Sequence, residues 1–156
     1  MSKSLKRVRA ALEVAGIDPE TIIQTTDTHT AQAAADVAGC HVDQIAKSII
    51  FRGEVSGQAI LFLTAGGNRV DAGKASTIAG EVLGKADAAL IRTQTGFAIG
   101  GVSPVGHLNP IRAFADLRLM EFDVIWAAAG TPNHIFPLTP AQLIKLTDAS
   151  TADFIV

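Results

Sequence analysis

A chain of 156 residues with 48% hydrophobic and 18% charged side chains is long enough to bury a core in one domain and too apolar for a disordered or fibrous protein. A formal charge of −2 argues against the broad basic surface that grips duplex nucleic acid, so DNA is not an expected partner, while a local contact to one end of an RNA stays open. No apolar run approaches membrane-spanning length, and the single cysteine, Cys40, permits neither an internal disulfide nor a cysteine-based metal site, which fits a reducing cytoplasm.

Leu5, Val8, Leu12 and Ala15 recur at helical spacing among Lys6, Arg7, Arg9 and Glu13, and Gly16 follows as a C-terminal cap. The basic start is like a signal peptide's first region, but Glu13 and the lack of a continuous apolar core make it a helix start. Ile22 and Ile23 predict a short strand, after which Asp27 or Thr28 caps an alanine-rich helix over 30–38 closed by Gly39. Residues 44–51 and 59–64 predict two strands that pair antiparallel across the 53–57 connection. Asn68 and Asp71 precede a helix over 72–79, and a further helix is expected over 85–93. Short strands are predicted over 111–115, 123–129 and 133–136, then a helix from Thr139-Pro140 to Leu146 and an edge strand over 154–156. Helices and strands are mixed, and several connections are too short for parallel crossovers. The expected fold class is therefore mixed α/β, one domain over 1–156, with a mixed or largely antiparallel sheet.

The segment from Thr95 to His107 breaks from an apolar run into Gly100-Gly101, Pro104 and Gly106 before reaching the histidine. Paired glycines let a ligand approach main-chain N–H groups that a Cβ would shield, and Pro104 stiffens the exit. A tight turn leaving a strand accounts for the same glycines. Lys47 is the most unusual charge, because alternation on its strand places it with Ile45, Ile49 and Phe51, whereas Ser48 lies with Ile50. An ammonium over apolar surface must find a partner or shift its pKa, unless it snorkels from the end of an edge strand. Asp71 and Lys74 read as helix-start residues, and Cys40 as a small buried hydrophobe. His107 follows the glycine loop and could contact what the loop binds; His134 follows a second turn, Gly130-Thr131-Pro132-Asn133, while His29 and His41 have less context. No histidine or carboxylate stands at metal-ligand spacing from His107 or His134, so no metal and no cofactor is expected. Ser103 lacks a visible base, and no nucleophile elbow, P-loop or dinucleotide fingerprint is present.

Four segments together, Thr30-Ala31-Gln32-Ala33-Ala34, 44–51 around Lys47, 68–74 from Asn68 to Lys74, and 95–107 with its Gly-Gly-Val-Ser-Pro core, resemble the YbaK/EbsC family of editing-domain-like proteins. That resemblance implies a mixed α/β fold with a barrel-like sheet and hydrolysis of mischarged aminoacyl-tRNA. Lys47 matches the family's functional lysine, Gly100 and Gly101 the loop approaching the substrate carbonyl, and Ala129-Gly130 a small-residue turn lining the aminoacyl pocket, with His134 just beyond. Thr30, Ser103 and His107 complete the substrate-binding set expected beside the catalytic Lys47. Relatives acting on cysteinyl-tRNA carry an N-terminal tyrosine and a serine near the later turn, whereas this chain has no Tyr and reads Ala127-Ala128-Ala129, which argues against cysteine specificity. The implied partners are the acceptor end of aminoacyl-tRNA, that of tRNA for proline first, and prolyl-tRNA synthetase. With few basic side chains to meet phosphates, RNA affinity should depend only shallowly on salt. Two competing readings stay open: a noncatalytic module holding a nucleotide or amino acid in the same pocket, and a small hydrolase of free esters or amides.

Overall fold

The computed structural model describes residues 1–26, 28 and 30–156. Its first helix, α1 (Lys3–Val14), starts where the Ser2 hydroxyl accepts from the Leu5 amide, and turns Leu5, Val8 and Leu12 inward as their spacing requires. Gly16, at φ +77°, takes the chain out of the helix. Strand β1 (Ile23–Gln24) is followed by α2 (Ala31–Ala38), whose N-cap is Thr30, its hydroxyl accepting from the Ala33 amide at 3.1 Å. Thr28 is not the cap, since its hydroxyl donates to the Pro132 carbonyl. Asp27, the other expected cap, and His29 lie outside the described residues.

Strands β2 (Ala46–Gly53) and β3 (Ala59–Ala65) pair antiparallel as predicted, with Lys47 opposite Thr64 and Ser48 opposite Leu63. Helix α3 (Ala72–Ala79) runs from an Asp71 cap to Gly80 in the left-handed conformation. A strand not foreseen, β4 (Leu83–Lys85), then pairs with the far end of β2 at Phe51–Gly53. It displaces the next helix, α4 (Ala88–Thr95), which begins at an Asp87 cap rather than at Lys85. The glycine-rich segment leads to β5 (Arg112–Asp116), parallel to β3, and then to the hairpin β6 (Ile125–Ala128) and β7 (His134–Leu138). Helix α5 (Pro140–Thr147) has the expected proline in its first turn and is followed by β8 (Ser150–Ala152), parallel to β5. The expected edge strand at 154–156 is replaced by β8, because Phe154 is buried edge-on against Phe62 with ring centroids 5.0 Å apart, leaving only the Val70–Ile155 bridge.

Two sheets result, β1-β7-β6 and β4-β2-β3-β5-β8. Among the described residues a single bridge, between Ile45 and Trp126, links them, so the strands curl from β1 round to β8. No pairing among the described residues joins β8 back to β1, and the barrel is open. Every residue of β3 is buried; its Leu61 and Leu63 face the main core beneath α1, and its Ile60 and Phe62 face a second cluster under α3. Ala34, Ala35, Ile45 and Ile135 form a third cluster that seats α2 across the junction of the sheets.

Among the described residues, the one carboxylate in this interior is Asp116, only 3% exposed. It accepts from the Ala65 amide at 3.0 Å, the Asn68 side-chain amide at 2.9 Å and the Arg118 amide at 2.9 Å, fixing the turn that leaves β3. Asp116→Ala should therefore cost about 3 kcal/mol of folding stability by orphaning buried donors, against about 1 kcal/mol for Asp71→Ala at an exposed cap. Denaturant melts of the two variants check this, and equal losses would contradict it.

Candidate functional site

Strand β2 is covered on its outer edge only at its two ends, by the Ile45–Trp126 bridge before it and by β4 from Phe51 onward. Between those points a cavity of about 360 Å³ opens against the strand. The N-terminal end of α2 at Thr30, the Ile99-Gly100 and Val102 stretch of the glycine loop, and Trp126 to Ala128 of β6 form its other walls.

Lys47 lines this cavity and is half-buried, with its Nζ donating to the Gly66 carbonyl at 3.2 Å. Burial, and then the Arg69 cation, hold its pKa below the usual lysine value, while the Asp116 and Asp43 carboxylates pull the other way. Those carboxylates also set the position of its partner, because Asp43 accepts from the Gly67 amide at 2.9 Å and Asp116 holds the residues on either side of the turn. The result is a weakly solvated ammonium with spare N–H donors at the wall of a mostly apolar hollow. Such a group can hydrogen-bond a carbonyl oxygen and stabilise negative charge that develops there.

Of the residues expected to bind substrate, the structure brings Thr30 and Gly100 to the cavity with Lys47. Gly100 adopts φ +90°, a conformation only glycine takes without strain, and a Cβ there would meet no atom within 4 Å. The structure does not bring Gly101, Ser103, His107, Gly130 or His134 to this cavity. Gly101 donates its amide to the Ala98 carbonyl at 3.1 Å, and a Cβ on it would press on the Thr131 backbone at 2.9 Å instead of occupying substrate space. Gly130 is likewise a close-approach residue, a Cβ there meeting the Ser4 carbonyl of α1 at 2.9 Å and the Phe97 ring at 3.1 Å. Ser103 is fully buried and its Oγ accepts from the Val105 amide at 3.3 Å. His134 shares a 2.6 Å hydrogen bond with the Thr131 hydroxyl on the far side of that turn.

His107 turns inward over the Phe97 ring, its Nε2 donating to the Ser103 carbonyl at 2.5 Å. With that proton on Nε2, Nδ1 is a buried acceptor with no partner among the described residues. Burial lowers the His107 pKa, with Arg7 adding to the effect and the Ser103 bond opposing it. A second, larger hollow of about 730 Å³ lies along His107 and the start of β5, apart from Lys47. Among the described residues, no three His, Cys, Asp or Glu side chains stand close enough to hold a metal ion.

Three contributors escaped sequence reasoning. Arg7 of α1 clamps both ends of the glycine loop, its Nη2 donating to the Gly96 carbonyl at 2.6 Å and its Nε to the Gly106 carbonyl at 3.1 Å, with the guanidinium 5.1 Å over Phe97. Nothing in the local sequence signals contacts that far along the chain. Trp126 and Ser48 also line the cavity. The alternation that singled out Lys47 placed Ser48 on the opposite face, but the gap in strand pairing that exposes both was not visible.

A family model for the aminoacyl-tRNA editing domain matches residues 25–146, a span containing every lining residue just described. The protein belongs to this family, the YbaK-like editing domains. YwhH of Bacillus subtilis (strain 168), a protein of uncharacterised function, is 32% identical over 144 residues, covering 92% of this chain and 91% of its own. Among solved structures, one described as a candidate trans-editing enzyme for prolyl tRNA synthetase superposes with a TM-score of 0.90 at 43% identity, covering 100% of this chain and 99% of that one. The hypothetical protein APE2540 shares the fold at TM-score 0.85 and 24% identity, over 96% of this chain and 99% of its own.

Gly101→Ala should lower stability by about 1–3 kcal/mol, because the methyl group has to displace the Thr131 backbone. Thermal melts alongside Gly100→Ala check whether the contact or the glycine conformation dominates; an unchanged melting temperature for Gly101→Ala would refute the packing assignment. A second expectation follows from His107. A folded-state pKa below the unfolded value of about 6.5 means that the unfolded chain takes up the proton more readily. The histidine's contribution is then complete above about pH 6.5 and is lost as pH falls through the lowered folded value. His107→Gln should flatten stability between pH 8 and pH 5 relative to the parent, and identical pH profiles would contradict this.

Proposed function

We propose that the protein is a free-standing deacylase that hydrolyses the ester of mischarged aminoacyl-tRNA, with a small amino acid on tRNA for proline as the preferred substrate. The observation that carries this reading is Lys47 at an uncovered strand edge, in a cavity walled by alanines and a glycine loop. Membership in the editing-domain family, and the described role of the relative at 43% identity, support it.

An aminoacyl ester is already activated, so the site need only orient it, polarise its carbonyl and admit a nucleophile. Lys47 Nζ can donate to the carbonyl oxygen as negative charge builds there, and the Gly100 backbone, without a Cβ, lets the ester lie close to the main chain. Attack by a water oxygen on the carbonyl carbon, with cleavage of the bond to the terminal ribose oxygen, passes one of the water's protons to that oxygen and releases the free amino acid and the uncharged tRNA; a substrate hydroxyl can assist by orienting the water. Ala31, Ala34, Ala127 and Ala128 line the cavity and suit a small aminoacyl side chain. Since one methylene is worth only about 1–3 kcal/mol in such a pocket, sorting by size is graded. The acceptor end is the part of the tRNA that must enter, and prolyl-tRNA synthetase is the partner whose errors would supply the substrate.

The test is a deacylation panel of alanyl, seryl, cysteinyl and 2-aminobutyryl groups on tRNA for proline, with prolyl-tRNA as control. The expected result is turnover of a small aminoacyl group, sparing of prolyl-tRNA, and a loss of about 100-fold or more in Lys47→Ala with the fold retained. Saturable binding without turnover would instead identify the noncatalytic module, and turnover of free esters without tRNA the general hydrolase.

A further inference from the structure

We infer that the Ser48 hydroxyl is the group that receives the α-amino group of the aminoacyl ester, a positioning role that rests on the function proposed above. Ser48 lines the cavity, and its Oγ is buried without a hydrogen-bond partner among the described residues. The other side-chain atom in that condition, His107 Nδ1, lies outside this cavity. A buried, unpaired hydroxyl on a residue of the cavity wall can be satisfied by a polar ligand group that reaches it there, since protein interiors otherwise satisfy such atoms.

Placement on the strand identifies which ligand group it can be. Lys47 and Ser48 are consecutive in β2 and therefore face opposite sides of the sheet. Lys47 reaches the Gly66 carbonyl, at the turn leaving β3. Ser48 shares its face with Ala46, which belongs to the main core together with the cavity-lining Val102 and Ala127. An α-amino group is repelled by the Lys47 cation and, protonated or not, donates hydrogen bonds and needs an acceptor. Ala46, Val102 and Ala127 have no side-chain acceptor, whereas the Ser48 oxygen is one. With the ester carbonyl turned toward Lys47, the amino group is directed across the strand edge to Ser48.

The decisive experiment uses non-hydrolysable probes: 3′-amide-linked alanyl-adenosine, its propionyl counterpart lacking the amino group, and the seryl counterpart. Their binding to the parent protein, Ser48→Ala and Ser48→Thr is measured by calorimetry or NMR titration, beside parent deacylation of alanyl-tRNA. The parent should bind the alanyl probe about 10-fold or more tighter than the propionyl probe, the scale expected of a hydrogen bond from a charged donor. Ser48→Ala should abolish that preference by weakening the alanyl and seryl probes equally, Ser48→Thr should restore it, and Ser48→Ala should melt close to the parent because no hydrogen bond within the protein is lost. A preference that survives in Ser48→Ala overturns the assignment, and a loss confined to the seryl probe would mean that Ser48 reads a side-chain hydroxyl instead. If the parent deacylates alanyl-tRNA yet does not distinguish the alanyl and propionyl probes, the Ser48 role alone falls. If it neither binds nor deacylates, the proposed function falls with it.

Discussion

The site depends on holding one ammonium at a strand edge that the sheet leaves uncovered. Lys47 gives up part of its hydration to sit there, and burial together with Arg69 pushes its pKa down. What keeps the charge tolerable is the Gly66 carbonyl and the nearby Asp116 and Asp43 carboxylates. Asp116 also anchors the end of β3 through the Ala65 amide and braces the turn through Asn68, while Asp43 holds the Gly67 amide and pairs with Arg118 Nε at 3.1 Å. The same acids that balance the lysine thus fix the backbone that accepts from it. An error in their placement would be felt as lost stability and as a misdirected Nζ together.

The opposite wall is built on different physics. The glycine loop is drawn onto the core by the Arg7 clamp, by the inward turn of Ser103 and His107, and by backbone packing between Gly101 and Thr131 and between Gly130 and Ser4. Only Ile99, Gly100 and Val102 of this stretch face the cavity, and Ile99 is exposed at its mouth. Most of the residues that make the loop conspicuous therefore hold a few others in place. A loop stiffened in this way can present its backbone to a ligand without reorganising at each encounter, which favours binding energy being expressed at the reacting bond.

Much of this architecture was legible in the sequence wherever a local rule decided the outcome. Asp71 and Gly80 bracket α3 at its observed bounds, Leu5, Val8 and Leu12 determine the buried stripe of α1, and the apolar runs of β2 and β3 pair as expected. Strand β4 was missed because three residues with a central glycine, Leu83-Gly84-Lys85, carry no periodicity, and its pairing with Phe51–Gly53 is a tertiary fact. Alternation correctly separated Lys47 from Ser48, but no local pattern shows where a neighbouring strand stops. The directions of Ser103 and His107 were equally hidden, since a polar residue in a glycine loop can face a ligand or the core, and long-range contacts from Arg7 and Phe97 decide between them.

Side-chain titration of Lys47 by NMR, with and without 3′-amide-linked alanyl-adenosine, tests most directly whether this residue is a weakly solvated donor that meets a ligand in the cavity it lines. In the free protein Lys47 should titrate below the ordinary lysine value of about 10.4, and its side-chain resonances should change on saturation with the probe. A lysine that titrates normally and whose resonances are unaffected by the probe would contradict this.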